Sequence, residues 1–136
     1  MDAGLVAAVA LAFAFAVTNG LHDASNAIAT LVATRAARPG QGIALASVFN
    51  LLGPLLIGGA VADTIGGIVT VAPSEAVEVI GAGLASAVAW NGITWALGLP
   101  SSSGHALVGG LVGAALLAGG TDAVNWGGFD GLKPVG

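Results

Sequence analysis

Cysteine and tyrosine are absent from these 136 residues, and charge is scarce. Without cysteine there is no disulfide framework and no thiolate metal site. Lysine and arginine together number 3 against 7 aspartates and glutamates, so no basic patch exists to hold nucleic acid. Charged residues make up 7% of the chain, where a soluble domain carries about 25%. So few charges cannot cover a water-exposed surface. What is there instead is apolar: 56% of residues are hydrophobic and the mean hydropathy is +0.95. The 23 glycines are spread through the apolar runs and do not cluster with Ser and Pro. That distribution excludes a flexible linker and suits membrane helices that approach closely.

A membrane-crossing helix needs about 20 mostly apolar residues. Four segments are expected on that basis, at 3–34, 43–62, 79–99 and 105–118, in one transmembrane domain spanning 1–136. The fold class is therefore an all-α integral membrane protein, a polytopic helix bundle. The last segment, about 14 residues, is short for a full crossing, so the sequence leaves crossing and re-entry both open. The first apolar run holds a cleavage-like Ala12-Phe13-Ala14, but no Lys or Arg precedes it and Asp2 occupies the place of a positive leader. It reads as a retained first helix. Arg35 and Arg38 share the loop after that helix, whereas Asp63, Glu75 and Glu78 share the next. Positive charge collects on the cytoplasmic side, which places the Arg35/Arg38 loop inside and the N-terminus outside; the expected location is the cell's plasma membrane, as a multi-pass protein. Asp63, Glu75, Glu78, Asp122 and Asp130 read as solvated loop charges.

Two segments break the apolar rule. In the first, Asn19, His22, Asp23, Asn26 and Thr30 recur at helical spacing and share one face within roughly a quarter turn. An aspartate at membrane depth costs at least about 2.5–3.5 kcal/mol, so this face must meet protein, water or an ion. Gly20 beside Asn19 suggests a local break in the helix that would free backbone groups for a ligand. In the second, Leu99-Pro100-Ser101-Ser102-Ser103-Gly104-His105 separates the third segment from the fourth. Pro100 disfavours helix before it, and any of the three serines can cap a helix starting near Gly104. A helix start offers unpaired N–H groups and a positive dipole end to an anion, and Gly104 lets that anion approach the backbone.

Chemically, the first element offers carboxylate, amide and hydroxyl oxygens to a small hard cation such as Na⁺: Asp23 and Asn26, with Asn19 and Thr30. The second offers neutral donors to an oxyanion. Co-binding lowers the burial cost of both ions, which is the physical basis of symport, and broken helices are the recurring seat of such sites. Plainer readings compete. A Ser-rich tip is often only a surface loop, and amides or hydroxyls such as Ser47, Asn50, Ser86, Asn91 and Thr94 often only bridge helices. His22 and His105 are candidate proton carriers, or satisfied structural residues. An intramembrane serine hydrolase built on Ser102 or Ser103 with His105 and Asp23 lacks the G-x-S-x-G elbow; the chain does not read as an enzyme.

The stretch Gly20-Leu21-His22-Asp23-Ala24-Ser25-Asn26-Ala27-Ile28-Ala29-Thr30 resembles the signature of the inorganic phosphate transporter (PiT) family. Asn50-Leu51-Leu52-Gly53-Pro54, Trp90-Asn91-Gly92-Ile93-Thr94-Trp95 and Pro100-Ser101-Ser102-Ser103-Gly104-His105 are similar to further stretches of that family, in the same order. The resemblance implies inorganic phosphate transport by Na⁺- or H⁺-coupled symport, with no other cofactor. It places Asp23, Asn26, Ser102 and Ser103 at a shared site for phosphate and coupling ion. Gly104 stands where the family usually has Ser or Thr, keeping a backbone donor but losing a hydroxyl, and Ser25 replaces an Ala. Family members hold two such halves as inverted repeats with the site between them, and each motif occurs here once. The expectation is one half of a transporter, a fragment acting with a second half or as a homo-oligomer. The alternatives are a sulfate permease of the same family and an inactive remnant. Phosphate at neutral pH keeps protons that Asp23 can accept and sulfate has none, which favours phosphate.

Overall fold

The computed structural model describes residues 2–57 and 59–127. They form five α-helices, α1 (Ala3–Ala33), α2 (Pro39–Ile57), α3 (Ala60–Gly66), α4 (Pro73–Ala96) and α5 (Ser103–Gly119), then a short 3₁₀ turn, Gly120–Ala123. Four stretches are long and apolar enough to cross a membrane: Ala3–Ala33, Pro39–Leu56, Pro73–Ala96 and Ser103–Ala123. The all-α membrane bundle expected from composition is what the chain forms. Phe13, Leu55, Leu56 and Leu117 are each more than 70% exposed, tolerable only where lipid or protein, not water, covers them.

α4 is the central helix. It packs along α1 on one side and α5 on the other, while α2 folds back on α1. Gly42 sits against Ile28 and Leu31, which seats the start of α2 beside the end of α1. α1 and α4 run parallel: Gly4 lies beside Val77, Thr18 bonds to Asn91, and His22 meets Thr94. α4 and α5 run antiparallel and very close. A Cβ added to Gly83 would lie 3.1 Å from Leu111 Cα, and one added to Gly110 would lie 2.6 Å from the Gly83 carbonyl oxygen. Small residues here serve the backbone approach that membrane helices need. Beyond the helices, an isolated bridge pairs Val69 with Val124, sealed by Thr70 N–H to Ala123 O and Asn125 N–H to Ile68 O, 2.8 Å each. Val79, Ala115, Ala123 and Val124 form a small buried core beneath it.

Several sequence-based boundaries need correcting. α1 is continuous through Gly20, so the expected break near Asn19 does not occur. One helical glycine costs only about 1 kcal/mol, and an intact helix is the cheapest way to satisfy a backbone in lipid. The hydroxyls on either side of Gly20 turn back onto their own helix, Thr18 donating to Phe15 O (3.0 Å) and Ser25 to Leu21 O (2.8 Å). The interruption after α4 is real. Its last turn closes with Leu99 N–H to Thr94 O (2.8 Å) and Gly98 N–H to Trp95 O (3.1 Å), with Gly98 at φ +66°. That is a Schellman ending with glycine in its left-handed position, and Pro100 follows. α5 starts at Ser103 and, with the 3₁₀ turn, reaches Ala123, long enough to cross where 105–118 was not. α2 begins at Pro39 and ends at Ile57 where 43–62 was expected, because Pro39 suits a first helical position. α4 begins at Pro73, not 79, for the same reason, with Glu75 in its first turn complementing the dipole. Asp130 lies outside the described residues.

Charge is segregated by this topology. Asp2, Asp63, Glu75, Glu78 and Asp122 gather at the end of the bundle where α1 and α4 begin and α5 finishes. Arg35 and Arg38 sit at the opposite end, in the α1–α2 turn. Among the described charged residues, Asp23 alone lies within a membrane-length helix away from both ends.

Candidate functional site

The polar stripe on α1 divides in two. His22 is buried against α4 at 8% exposure, Asn19 is half-buried, and Asp23, Asn26 and Thr30 are exposed. Helical spacing explains why: His22 shares the α4-facing direction with Thr18, one turn earlier, and the others lie to one side of it. The side chains of Asn19, Asp23, Asn26 and Thr30 make no hydrogen bond among the described residues.

Where α1 and α4 meet, four polar side chains interlock. Asn91 is fully buried, and its Nδ2–H donates to Thr18 Oγ1 at 3.2 Å. His22 Nδ1 lies 3.2 Å from the Thr18 carbonyl oxygen, which can only accept, so that nitrogen carries the proton. His22 Nε2 lies 3.4 Å from Thr94 Oγ1, a hydroxyl also 2.9 Å from Trp90 O. Among the described residues two buried side-chain oxygens have no partner, Asn91 Oδ1 and Ser103 Oγ. They lie at one depth. The antiparallel pairing that sets Gly83 against Leu111 continues, residue for residue, to Asn91 opposite Ser103.

The start of α5 supplies the second element. Ser102 is its N-cap, in extended backbone geometry, accepting from His105 N–H at 3.4 Å. His105 Nδ1 lies 2.7 Å from the same hydroxyl. Trp90 Nε1–H donates to Ser101 Oγ at 2.9 Å. Ser86, Trp90, Ser101, Ser102 and His105 line a cavity of about 470 Å³ beside this helix start. Gly104 is exposed, and the nearest atom to a Cβ placed there is Ser102 Oγ at 4.0 Å. Ser103 is turned inward at 1% exposure. Consecutive residues on a helix diverge by about 100°, so Ser102 and Ser103 address different spaces.

The structure therefore joins His22 with Thr18, Asn91 and Thr94, and Ser102 with His105. No contact joins Asp23 or Asn26 to Ser102, Ser103 or Gly104 among the described residues. Thr18 was missed by the sequence reading. Its partner lies 73 residues away, and no local spacing signals such a pair. Asn91 and Thr94 do bridge helices, as the plain reading of membrane amides and hydroxyls expected. Among the described residues no three His, Asp or Glu side chains are placed to hold one metal ion together.

A model of the phosphate transporter family matches residues 19–135. The chain is 46% identical to a Rhizobium meliloti protein named "Probable low-affinity inorganic phosphate transporter", over 97% of this chain and 39% of that one. A Mycobacterium tuberculosis protein of the same name is 46% identical over 91% of this chain and 30% of its own length. The Escherichia coli protein named "Low-affinity inorganic phosphate transporter PitA" is 38% identical over 85% of this chain and 25% of its own. The chain thus spans well under half the length of these relatives. No solved structure matches it.

Proposed function

The chain belongs to the phosphate transporter family, and from that membership we propose that it forms one half of a permease carrying inorganic phosphate across the plasma membrane by cation-coupled symport. The observation that carries the proposal is a run of exposed polar side chains, one of them a carboxylate, in the middle of a membrane-length helix. α1 presents the side chains of Asp23, Asn26 and Thr30 without hydrogen bonds among the described residues, and α5 begins with a Ser-capped, positive helix end. In this reading Asp23 and Asn26, helped by Asn19 and Thr30, hold Na⁺ or accept the coupling proton. Ser102, Ser103 and the N–H groups around Gly104 receive phosphate oxygens. His105 lines an open cavity and is better placed than His22 to carry a proton, since His22 is held by the Thr18 carbonyl of its own helix and by Thr94 of α4. The charge segregation supports an inward-facing Arg35/Arg38 turn and an outward N-terminus.

Uptake of radiolabelled phosphate into proteoliposomes tests this, with the chain alone and with a complementary second half, under sodium and pH gradients and with sulfate as competitor. Gradient-driven uptake that sulfate does not match is expected once two halves, or two copies, are present. Asp23→Asn should abolish it and Asp63→Asn should leave it near wild type. Undiminished uptake by Asp23→Asn would overturn the site. No uptake from verified inserted protein would mark an inactive remnant.

A further inference from the structure

The two arginines of the α1–α2 turn are not explained by transport. α1 ends in the same Schellman geometry as α4: Ala36 N–H donates to Leu31 O (3.1 Å) and Arg35 N–H to Val32 O (3.0 Å). At the end of α4 the left-handed position is filled by Gly98; at the end of α1 it is filled by Arg35, at φ +58°. A left-handed position favours glycine, because a side chain there crowds the following carbonyl. Arg35 stands where local preference alone would put glycine. Arg38 follows three residues later, its backbone N–H donating to Gln41 Oε1 at 3.0 Å. Neither guanidinium has an ion pair among the described residues, and every acidic loop side chain described lies at the far end of the bundle. Arg35 and Arg38 line a cavity of about 360 Å³ together with Gln41 and the apolar Val32, Ala36, Ala37 and Pro39.

We propose that this turn is a binding site for the phosphodiester headgroup of an anionic phospholipid. The chemistry matches on three counts. The guanidinium fork suits phosphate oxygens. The apolar members of the lining, Val32, Ala36, Ala37 and Pro39, suit the glycerol and upper acyl carbons. The turn joins two membrane-length helices, which places it at the level of lipid headgroups, where basic residues attract anionic lipid.

The test is lipid selectivity of the full chain in nanodiscs of phosphatidylcholine with a minority of phosphatidylglycerol, read by exchange of spin-labelled lipids. The expected result is a preference for phosphatidylglycerol of up to about fivefold per arginine, reduced by high salt. Arg35→Gly paired with Arg38→Gln should bring it close to unity. Arg35→Gly is chosen because glycine is the residue this backbone favours, so the fold should survive, and unchanged helical circular dichroism checks that. Glu75→Gln with Glu78→Gln changes net charge at the other end and should leave the preference where it was. Selectivity absent in the wild type, or retained in the arginine variant, would overturn the proposal. So would displacement of the labelled lipid by millimolar inorganic phosphate, which would make the turn a site for the free ion. An equal rise in preference from the glutamate pair would overturn it too, by assigning the effect to overall charge.

Discussion

The closest approach in the bundle makes a sharp mechanical prediction. A methyl group on Gly110 would lie 2.6 Å from the Gly83 carbonyl oxygen and against Ser86 Oγ, which itself donates to that carbonyl at 2.8 Å. The carbonyl belongs to the α4 ladder and cannot turn away without losing its own bonds. To restore an ordinary contact of about 3.4 Å, α4 and α5 must part by about 0.8 Å. A gap of that size forfeits a quarter to a half of each dispersion contact it opens, and it opens them around Ala87, Leu111 and Ala115, all nearly or fully buried. Overpacking of this kind costs about 1–3 kcal/mol. Gly109 and Gly113, on the same helix, have open space where a Cβ would go. Gly109→Ala and Gly113→Ala should therefore be neutral or gain up to about 1 kcal/mol from helix propensity. The predicted spread between Gly110→Ala and its two neighbours is about 1–4 kcal/mol. It is measurable as a shift in the midpoint of denaturing-detergent unfolding, followed by circular dichroism and by Trp90 and Trp95 fluorescence. If Gly110→Ala unfolds with its neighbours, the close α4–α5 contact is not what holds this hairpin.

Two further outcomes follow from the buried polar groups. Thr18→Val and Asn91→Leu should each cost about 1–3 kcal/mol by stranding the other's polar atom. The double variant should cost less than their sum, with a coupling of about 0.5–2 kcal/mol; strict additivity would mean the 3.2 Å bond contributes nothing. Ser103→Ala removes a hydroxyl with no partner, so stability should stay within about 0.5 kcal/mol. In a complete two-half permease the same change should weaken phosphate binding at least about tenfold, the factor for a lost bond to a charged ligand. A loss of stability without a loss of binding would make Ser103 a packing residue.

What could be read from the chain follows from the range of the forces involved. Membrane embedding is a bulk property, visible in 7% charge and in the long apolar runs. The end of α4 was legible because Gly98 and Pro100 act on their own neighbours. The end of α1 was less so, since Arg35 occupies a left-handed position that sequence preference assigns to glycine. Gly20 misled in the other direction: a lone glycine weakens a helix but does not break one that lipid compels to stay hydrogen-bonded. The stripe from Asn19 to Thr30 was legible as a stripe. Which of its members turned inward was not, because that depends on where α4 comes to rest, and the Thr18–Asn91 bond that registers α4 against α1 joins residues 73 positions apart.

A count of ligands carries the argument one step further. A hard cation takes about six oxygens or more, and the α1 face offers one carboxylate, two amides and a hydroxyl from Asp23, Asn19, Asn26 and Thr30. All four cannot turn to one point from a straight helix, whose successive turns are about 5.4 Å apart. Asp23 and Asn26, three residues apart, can; Thr30 is more than a further turn away. This surface supplies two or three oxygens of a shell, so the rest must come from another element, water or the phosphate itself. The same shortfall holds at α5, where Ser102 is engaged by His105 and Ser103 faces inward. An Asp at membrane depth costs at least about 2.5–3.5 kcal/mol; Asp23 has no partner among the described residues, and in the proposed reading a second half bearing an equivalent face relieves it. On the proposed reading, that shortfall is a physical reason to test transport with two such halves brought together.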